Sequence, residues 1–457
     1  MWRRTWLFVL LFVVGLWGQP AAAQGGLLGG LLSNVGGILN SLSGQPQGVI
    51  VRTNLGLSGL QNVCLLKGCT VVGSLDGNAN QVFLVRPVQG LLPNLLAAVL
   101  RLVTGILGAE VDQLLAIPPN PNSPTATTPP PGLWDRYPVN YFGTTVWDGY
   151  ADQPAARIVE VAEAHATFHV TGSGIVADID TGVDPNHPAL KGILLAGYDF
   201  TRNQPGGSEM RDISLASPPP CDSCPAAYVN QHTAAMVDQH TAAMVDGTAY
   251  AAFGHGTMVA GVIHLVAPTA HILPLKAFHP DGTGNLSDII RAVYYAVQNH
   301  ANVINMSFDL STNSTELTNA INYAASHNVV SVASSGNDGK EEVVYPAALQ
   351  KVMGVASTND FDQRSSFSNY GNQVVWVAAP GEAIITTYPF GTYAAGWGTS
   401  FSSPFVAGTA SLLLAVRSNC GQTQAAWAIS HAHWIGPNMG YGRLDIVRVL
   451  GALESSR

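Results

Sequence analysis

The run Gly174-Ile175-Val176-Ala177-Asp178-Ile179-Asp180-Thr181-Gly182 decides the fold. Between Ile175 and Ile179 only Asp178 breaks an otherwise apolar stretch, and the run closes on Asp-Thr-Gly. A short strand that is apolar on both faces has to be covered on both faces. That is the situation of a parallel sheet sandwiched by helices. Side chains alternate along a strand, so Asp178 and Asp180 share one face. Asp178, where an apolar residue is the ordinary choice, reads as a buried, protonated acid.

Working outward, short apolar runs recur at 271–275, 303–306, 329–333, 352–356 and 374–378, and each reads as a strand. Helical patterns start at His255 and Ser400 and cover 287–299 and 314–327. This alternation predicts an α/β domain with a mainly parallel sheet. The pattern lapses over 200–252, which reads as an insertion. It holds Pro218-Pro219-Pro220, Cys221-x-x-Cys224, and an octapeptide at 231–238 repeated without change at 239–246. Two copies are too few for a solenoid, so the repeat reads as a duplicated surface segment.

Residues 1–23 have the pattern of a secretory signal: Arg3 and Arg4, an apolar core, then Ala21-Ala22-Ala23. The expectation is a secreted protein, extracellular or periplasmic. Residues 24–45 are rich in Gly, Leu, Ser and Asn and read as a leader. A strand is expected at 49–53, a hairpin around Asp76-Gly77-Asn78, and a helix over 92–106 from the spacing of Leu92, Leu95, Leu96, Val99, Leu102, Val103 and Ile106. Together, 24–117 predict a small α+β unit. A Pro-rich linker at 118–132 separates it from a larger domain at 133–457 and offers an exposed cleavage target.

The chain has 457 residues, of which 11% are charged and 47% hydrophobic. From Gly132 onward there are 14 Lys and Arg against 26 Asp and Glu, a net charge of −12. An acidic globule of this kind excludes nucleic acid as a partner. Of the 5 cysteines, Cys64 and Cys69 are near neighbours, Cys221 and Cys224 suit a small disulfide loop, and Cys420 is left over. No His pair follows Cys221, so zinc is not expected.

Four short motifs carry chemistry. Asp180-Thr181-Gly182 ends a strand, Gly254-His255-Gly256-Thr257 opens a helix, and Ser335-Gly336-Asn337-Asp338-Gly339 follows a strand. Gly398-Thr399-Ser400 leads into the helix containing Pro404, which is expected near that helix's start. Open parallel sheets carry their functional groups at such strand ends and helix starts. A serine at a helix N-terminus meets free N–H groups and a favourable dipole for developing negative charge. In the order Asp, His, Ser these residues match one of the orders known for hydrolytic triads.

The motifs resemble those of the subtilisin-like serine proteases, over roughly 165–450. The resemblance implies a three-layer αβα domain around a mainly parallel sheet, preceded by a small α+β inhibitory prodomain. It implies Asp180, His255 and Ser400 as catalytic residues, Asn337 as the oxyanion donor, and Ser307, Phe308 and Asp309 as the substrate-binding segment, with substrate paired along an edge strand. It further implies a monomeric endopeptidase made as a zymogen, acting on peptides or proteins, with its own prodomain as intramolecular inhibitor. Family members usually have glycine at the position of Asp309, so a carboxylate is expected over the substrate strand or its first pocket. The Asn-rich loop that carries calcium in many relatives is missing after Val262-Ile263-His264, so no cofactor or metal is expected and calcium is not carried over. Two other readings stand beside this one. A catalytically silent binding protein could keep the fold. An aspartic protease would need a second Asp-Thr/Ser-Gly, and none occurs.

Overall fold

The computed structural model describes residues 48–117, 129–213, 226–229, 235–238 and 248–456. Signal, leader, most of the linker, the Cys221–Cys224 pair and the second octapeptide copy lie outside the described residues. Strand Ile175–Asp180 sits inside an eight-stranded sheet. The order is Gln204–Pro205, Tyr198–Asp199, His271–Lys276, Ile175–Asp180, Val303–Met306, Val330–Ser334, Met353–Thr358, Val377–Pro380. All neighbours are parallel except the first pair.

The two faces bury separate cores, giving the three-layer α/β sandwich. Val176 and Val303 face a core with helices His255–Val266 and Thr399–Val416. Ala177, Ile179, Ile304 and Met306 face the other, with helices Leu286–Gln298 and Thr315–Ser326. By alternation, Asp178 and Asp180 lie on the face of Val176. They therefore look toward the two helices that begin with His255 and Thr399-Ser400. Those helices pack closely because Gly408 has no side chain: a Cβ there would stand 2.7 Å from Val266 Cβ.

Two expected elements are displaced. The apolar run at 374–378 gives a strand only at Val377–Pro380. Val374 and Val375 belong to a turn whose N–H groups reach Gly371 O, and they are apolar because they fill the second core. The helix expected over 92–106 is Pro93–Leu100. Successive turns follow, Gly105 at φ +90° reverses the chain, and Ile106 begins strand Ile106–Val111. Leu102, 86% exposed, only coincided with the helical spacing.

Residues 48–117 form an antiparallel sheet ordered Cys69–Ser74, Val82–Pro87, Val49–Thr53, Ile106–Val111, with helices Gly56–Lys67 and Pro93–Leu100. Its own small core includes Leu60, Phe83, Leu96 and the Cys64–Cys69 disulfide. The unit docks on the helical layer of the second core through carboxylates. Asp112 accepts from Ser287 N and Oγ, at the start of Leu286–Gln298. Glu110 accepts from Ser314 Oγ and from the backbone N–H groups of Thr315 and Glu316, at the start of Thr315–Ser326. Each carboxylate meets free N–H groups and the positive end of a helix dipole. Beyond them, Leu114–Ala116 pairs antiparallel with Thr283–Asn285.

Within the insertion, Ala226–Val229 and Ala235–Asp238 form a hairpin that adds to strand Thr392–Gly396. Cys420 is a free, buried thiol.

Candidate active site

Asp180 ends its strand, and Thr181 N donates to its Oδ1 at 2.6 Å. The helix carrying His255 begins at that residue, capped by Gly254 in the left-handed region, and comes down hard on this turn. A Cβ on Gly256 would fall 2.2 Å from Gly182 O, so no larger residue fits. That approach puts His255 Nδ1 at 2.7 and 2.8 Å from the two Asp180 carboxylate oxygens. An ionised carboxylate only accepts, so Nδ1 carries the proton and Nε2 presents its lone pair. His255 is buried, and its Nε2 has no hydrogen-bond partner among the described residues.

Ser400 lies in the first turn of Thr399–Val416. Its hydroxyl donates to Ser307 O at 3.2 Å and does not meet Nε2 of His255 in this conformation. Catalytic hydrogen bonds often tighten only when substrate is bound. Pro404 sits one turn deeper than the sequence suggested, inside the helix. It has no N–H for Ser400 O, the acceptor four residues back. That carbonyl instead accepts from Ser307 Oγ at 3.0 Å. Ser307 Oγ also meets Ser403 Oγ and accepts from Asn305 Nδ2, which donates in addition to Asp178 Oδ1. The proline is thus tolerated because a buried polar chain beneath the serine replaces the lost bond.

Asp178 is buried as expected, with Oδ2 unpartnered among the described residues. Loss of solvation first, then the charges of Asp180 and Glu209, push its carboxyl well above the usual carboxylate range, against the bond from Asn305.

Asn337 is buried and its Oδ1 accepts from both N and Oγ1 of Thr399. This fixes the amide's flip and leaves Nδ2 as the donor end beside Ser400. The Ser307–Asp309 segment is not an edge strand. Val303–Met306 is interior to the sheet, and 307–309 continues past the end of its pairing. Phe308 turns its ring into the core against Phe278, so only its backbone faces outward chemistry. The Asp309 carboxyl is tucked in: Oδ2 is buried without a partner among the described residues, 3.1 Å from where a Cβ on Gly336 would stand. Burial, then the charges of Asp338 and Glu342, raises it to about 7. Among the described residues no group of three or more His, Cys, Asp or Glu could hold a metal.

The bracing roles of Thr399, Asn305 and Thr257 were missed from sequence, and Glu209 and the strand Thr283–Asn285 were missed altogether. Glu209 lies in a stretch with no periodicity, and its bonding partners are 28, 45 and 48 residues away.

The Subtilase family model matches residues 172–439. A thermophilic serine proteinase of Bacillus sp. (strain AK1) is 37% identical over 52% of this chain and 51% of its own length, so the match spans about half of that relative. Thermitase of Thermoactinomyces vulgaris is 36% identical over 56% of this chain and 80% of its own. Subtilisin E of Bacillus subtilis (strain 168) is 33% identical over 62% and 67%. Among solved structures, a lanthipeptide protease shares the fold at a TM-score of 0.52 and 24% identity, over 65% of this chain and 94% of its own.

Proposed function

This chain belongs to the subtilase family and is a serine-type endopeptidase, and from that premise we propose that Asp180, His255 and Ser400 form its triad and cut peptide bonds through an acyl-enzyme. The reading is carried by the Nδ1 of His255, held by both oxygens of Asp180 while Nε2 is left bare. A serine hydroxyl is a weak nucleophile until a base removes its proton during attack. On this reading the Ser400 hydroxyl exchanges Ser307 O for Nε2 as its acceptor when substrate binds. Ser400 Oγ then bonds to the scissile carbonyl carbon while His255 takes the proton and, as imidazolium, returns it to the departing amine. Asp180 holds the tautomer and stabilises the imidazolium. Water repeats the sequence on the acyl-enzyme and releases the acid.

The oxyanion receives Asn337 Nδ2 and the free N–H of Ser400 at the helix start. Asn337→Ala is expected to lower kcat by about 10²–10³-fold with little change in KM, because the donor acts on charge that develops in the transition state. Steady-state kinetics on a peptide amide checks this. A rise in KM at constant kcat would instead place Asn337 in ground-state binding.

Peptide or protein substrates lie extended between Ser307–Asp309 and Thr283–Asn285, by strand addition. Leu114–Ala116 already occupies the second of these lines. This supports a zymogen in which 24–117 is an intramolecular inhibitor, released by cleavage in or near 118–132. The 1–23 segment supports export. Asp309, replacing the usual glycine, is assigned to selecting small or basic side chains next to the cut. A peptide-library scan should show Asp309→Gly widening acceptance toward large apolar side chains by about tenfold or more. An unchanged profile would remove Asp309 from specificity.

A further inference from the structure

We propose that Glu209 is a positioning residue for the reaction, a buried carboxylate that clamps the Asp180 turn to the His255 helix; the inference rests on the triad reading above.

Glu209 begins the short helical turn Glu209–Arg211 and is fully buried. Its Oε2 accepts from Thr181 Oγ1 at 3.1 Å and from Gly254 N at 2.8 Å, and its Oε1 accepts from Thr257 Oγ1. Thr181 directly follows Asp180, Gly254 directly precedes His255, and Thr257 stands two residues after it. The two hydroxyls carry the clamp further. Thr181 Oγ1 accepts from Gly256 N at 3.0 Å, and Thr257 Oγ1 accepts from Asp184 N at 2.8 Å. One side chain therefore fixes both partners of the Asp180–His255 pair relative to each other, without touching either.

The surrounding charges are Asp178 and Asp180 on strand Ile175–Asp180, His255 at its helix start, and Lys276 on strand His271–Lys276. The ammonium of Lys276 is itself held by Thr181 O, Phe278 O and Asp212. Loss of solvation moves the Glu209 carboxyl up to about 8, with Asp180 adding to the shift. The bonds from Thr257 and Gly254 and the charge of Lys276 oppose it. The form that accepts all three bonds is the carboxylate, which prevails above that value. Once protonated, the group must donate to one neighbour. Gly254 N–H cannot accept, so a threonine hydroxyl has to reverse and the clamp loosens. Turnover is therefore expected to rise through an ionisation near 8.

Two readouts test this. In the full chain with Ser400→Ala, where no catalysis is needed, the His255 Nδ1–H proton resonance is followed against pH with and without Glu209→Gln. The expected result is a step near pH 8 that the glutamine variant lacks. In the catalytic chain, Glu209→Gln should lower kcat per titrated active site by about 10–100-fold, the loss that a small misplacement of a catalytic group produces. KM should stay within about threefold and the same pH step should disappear. Should Glu209→Gln not fold, Thr257→Val removes one donor to Glu209, together with the acceptor of Asp184 N, and Thr257→Ser should restore the parent behaviour. Lowered melting temperatures with kcat, pH profile and the His255 resonance all unchanged would overturn the proposal. A catalytic chain with no titratable site counts against the triad reading instead, while the resonance still decides the role of Glu209.

Discussion

Ser400→Ala is expected to cut kcat/KM on a peptide amide by about 10⁵–10⁶-fold, the size of loss seen when the nucleophile of such a unit is removed. Asn337, the helix N-terminus and the substrate-binding lines all survive, so a residual rate of about 10³-fold over water should remain. The loss cannot be ascribed to unfolding. Ser400 Oγ makes one hydrogen bond, to Ser307 O, worth about 1 kcal/mol. The same variant tests the zymogen reading. Expressed from Gln24 onward, the parent should yield a new N-terminus in or near 118–132, and Ser400→Ala should remain one chain, as read by N-terminal sequencing. Equal processing of both would exclude self-cleavage.

Asp180→Asn is expected to lower kcat about 10⁴-fold with KM nearly unchanged. The substitution keeps the shape and changes the proton. Both Asp180 oxygens now accept from His255 Nδ1. An asparagine amide nitrogen in one of those places would donate to Nδ1 and drive the ring's proton to Nε2, which then cannot act as base. Stability should move the other way. Asp180 raises the carboxyls of both Asp178 and Glu209 through like charge. Removing its charge lets Glu209 ionise below about 8 and relieves repulsion among buried acids. A thermal midpoint equal to or above the parent's, with activity lost, separates chemistry from folding. A lowered midpoint that tracks the activity loss would mean that Asp180 is structural.

The sheet was legible because its strands are short and apolar on both faces, a pattern that parallel sheets impose and helices of this length do not. The motifs around His255 and Ser400 stood out for a local reason: both are rich in glycine, and at Gly256 the missing Cβ permits the close approach to Gly182. What failed was what local pattern cannot encode. Leu102 and Ile106 kept a helical spacing across a turn reversed by Gly105. Pro404 was placed too early because the compensating donor, Ser307 Oγ, is 93 residues away. That the Phe308 ring is a core side chain, leaving only its backbone for a binding segment, was likewise invisible locally, because its partner Phe278 lies just past the end of another strand. Glu209 gave no signal, since a single acid in an aperiodic insertion is indistinguishable from a solvated one until its three partners are seen.

The most direct measurement is labelling with a diaryl organophosphonate, read by intact mass and peptide mapping. The expected result is one adduct per chain, on Ser400, that fails to form in His255→Ala. No adduct, an adduct on another residue, or equal labelling without the imidazole would show that Asp180, His255 and Ser400 do not work as one device.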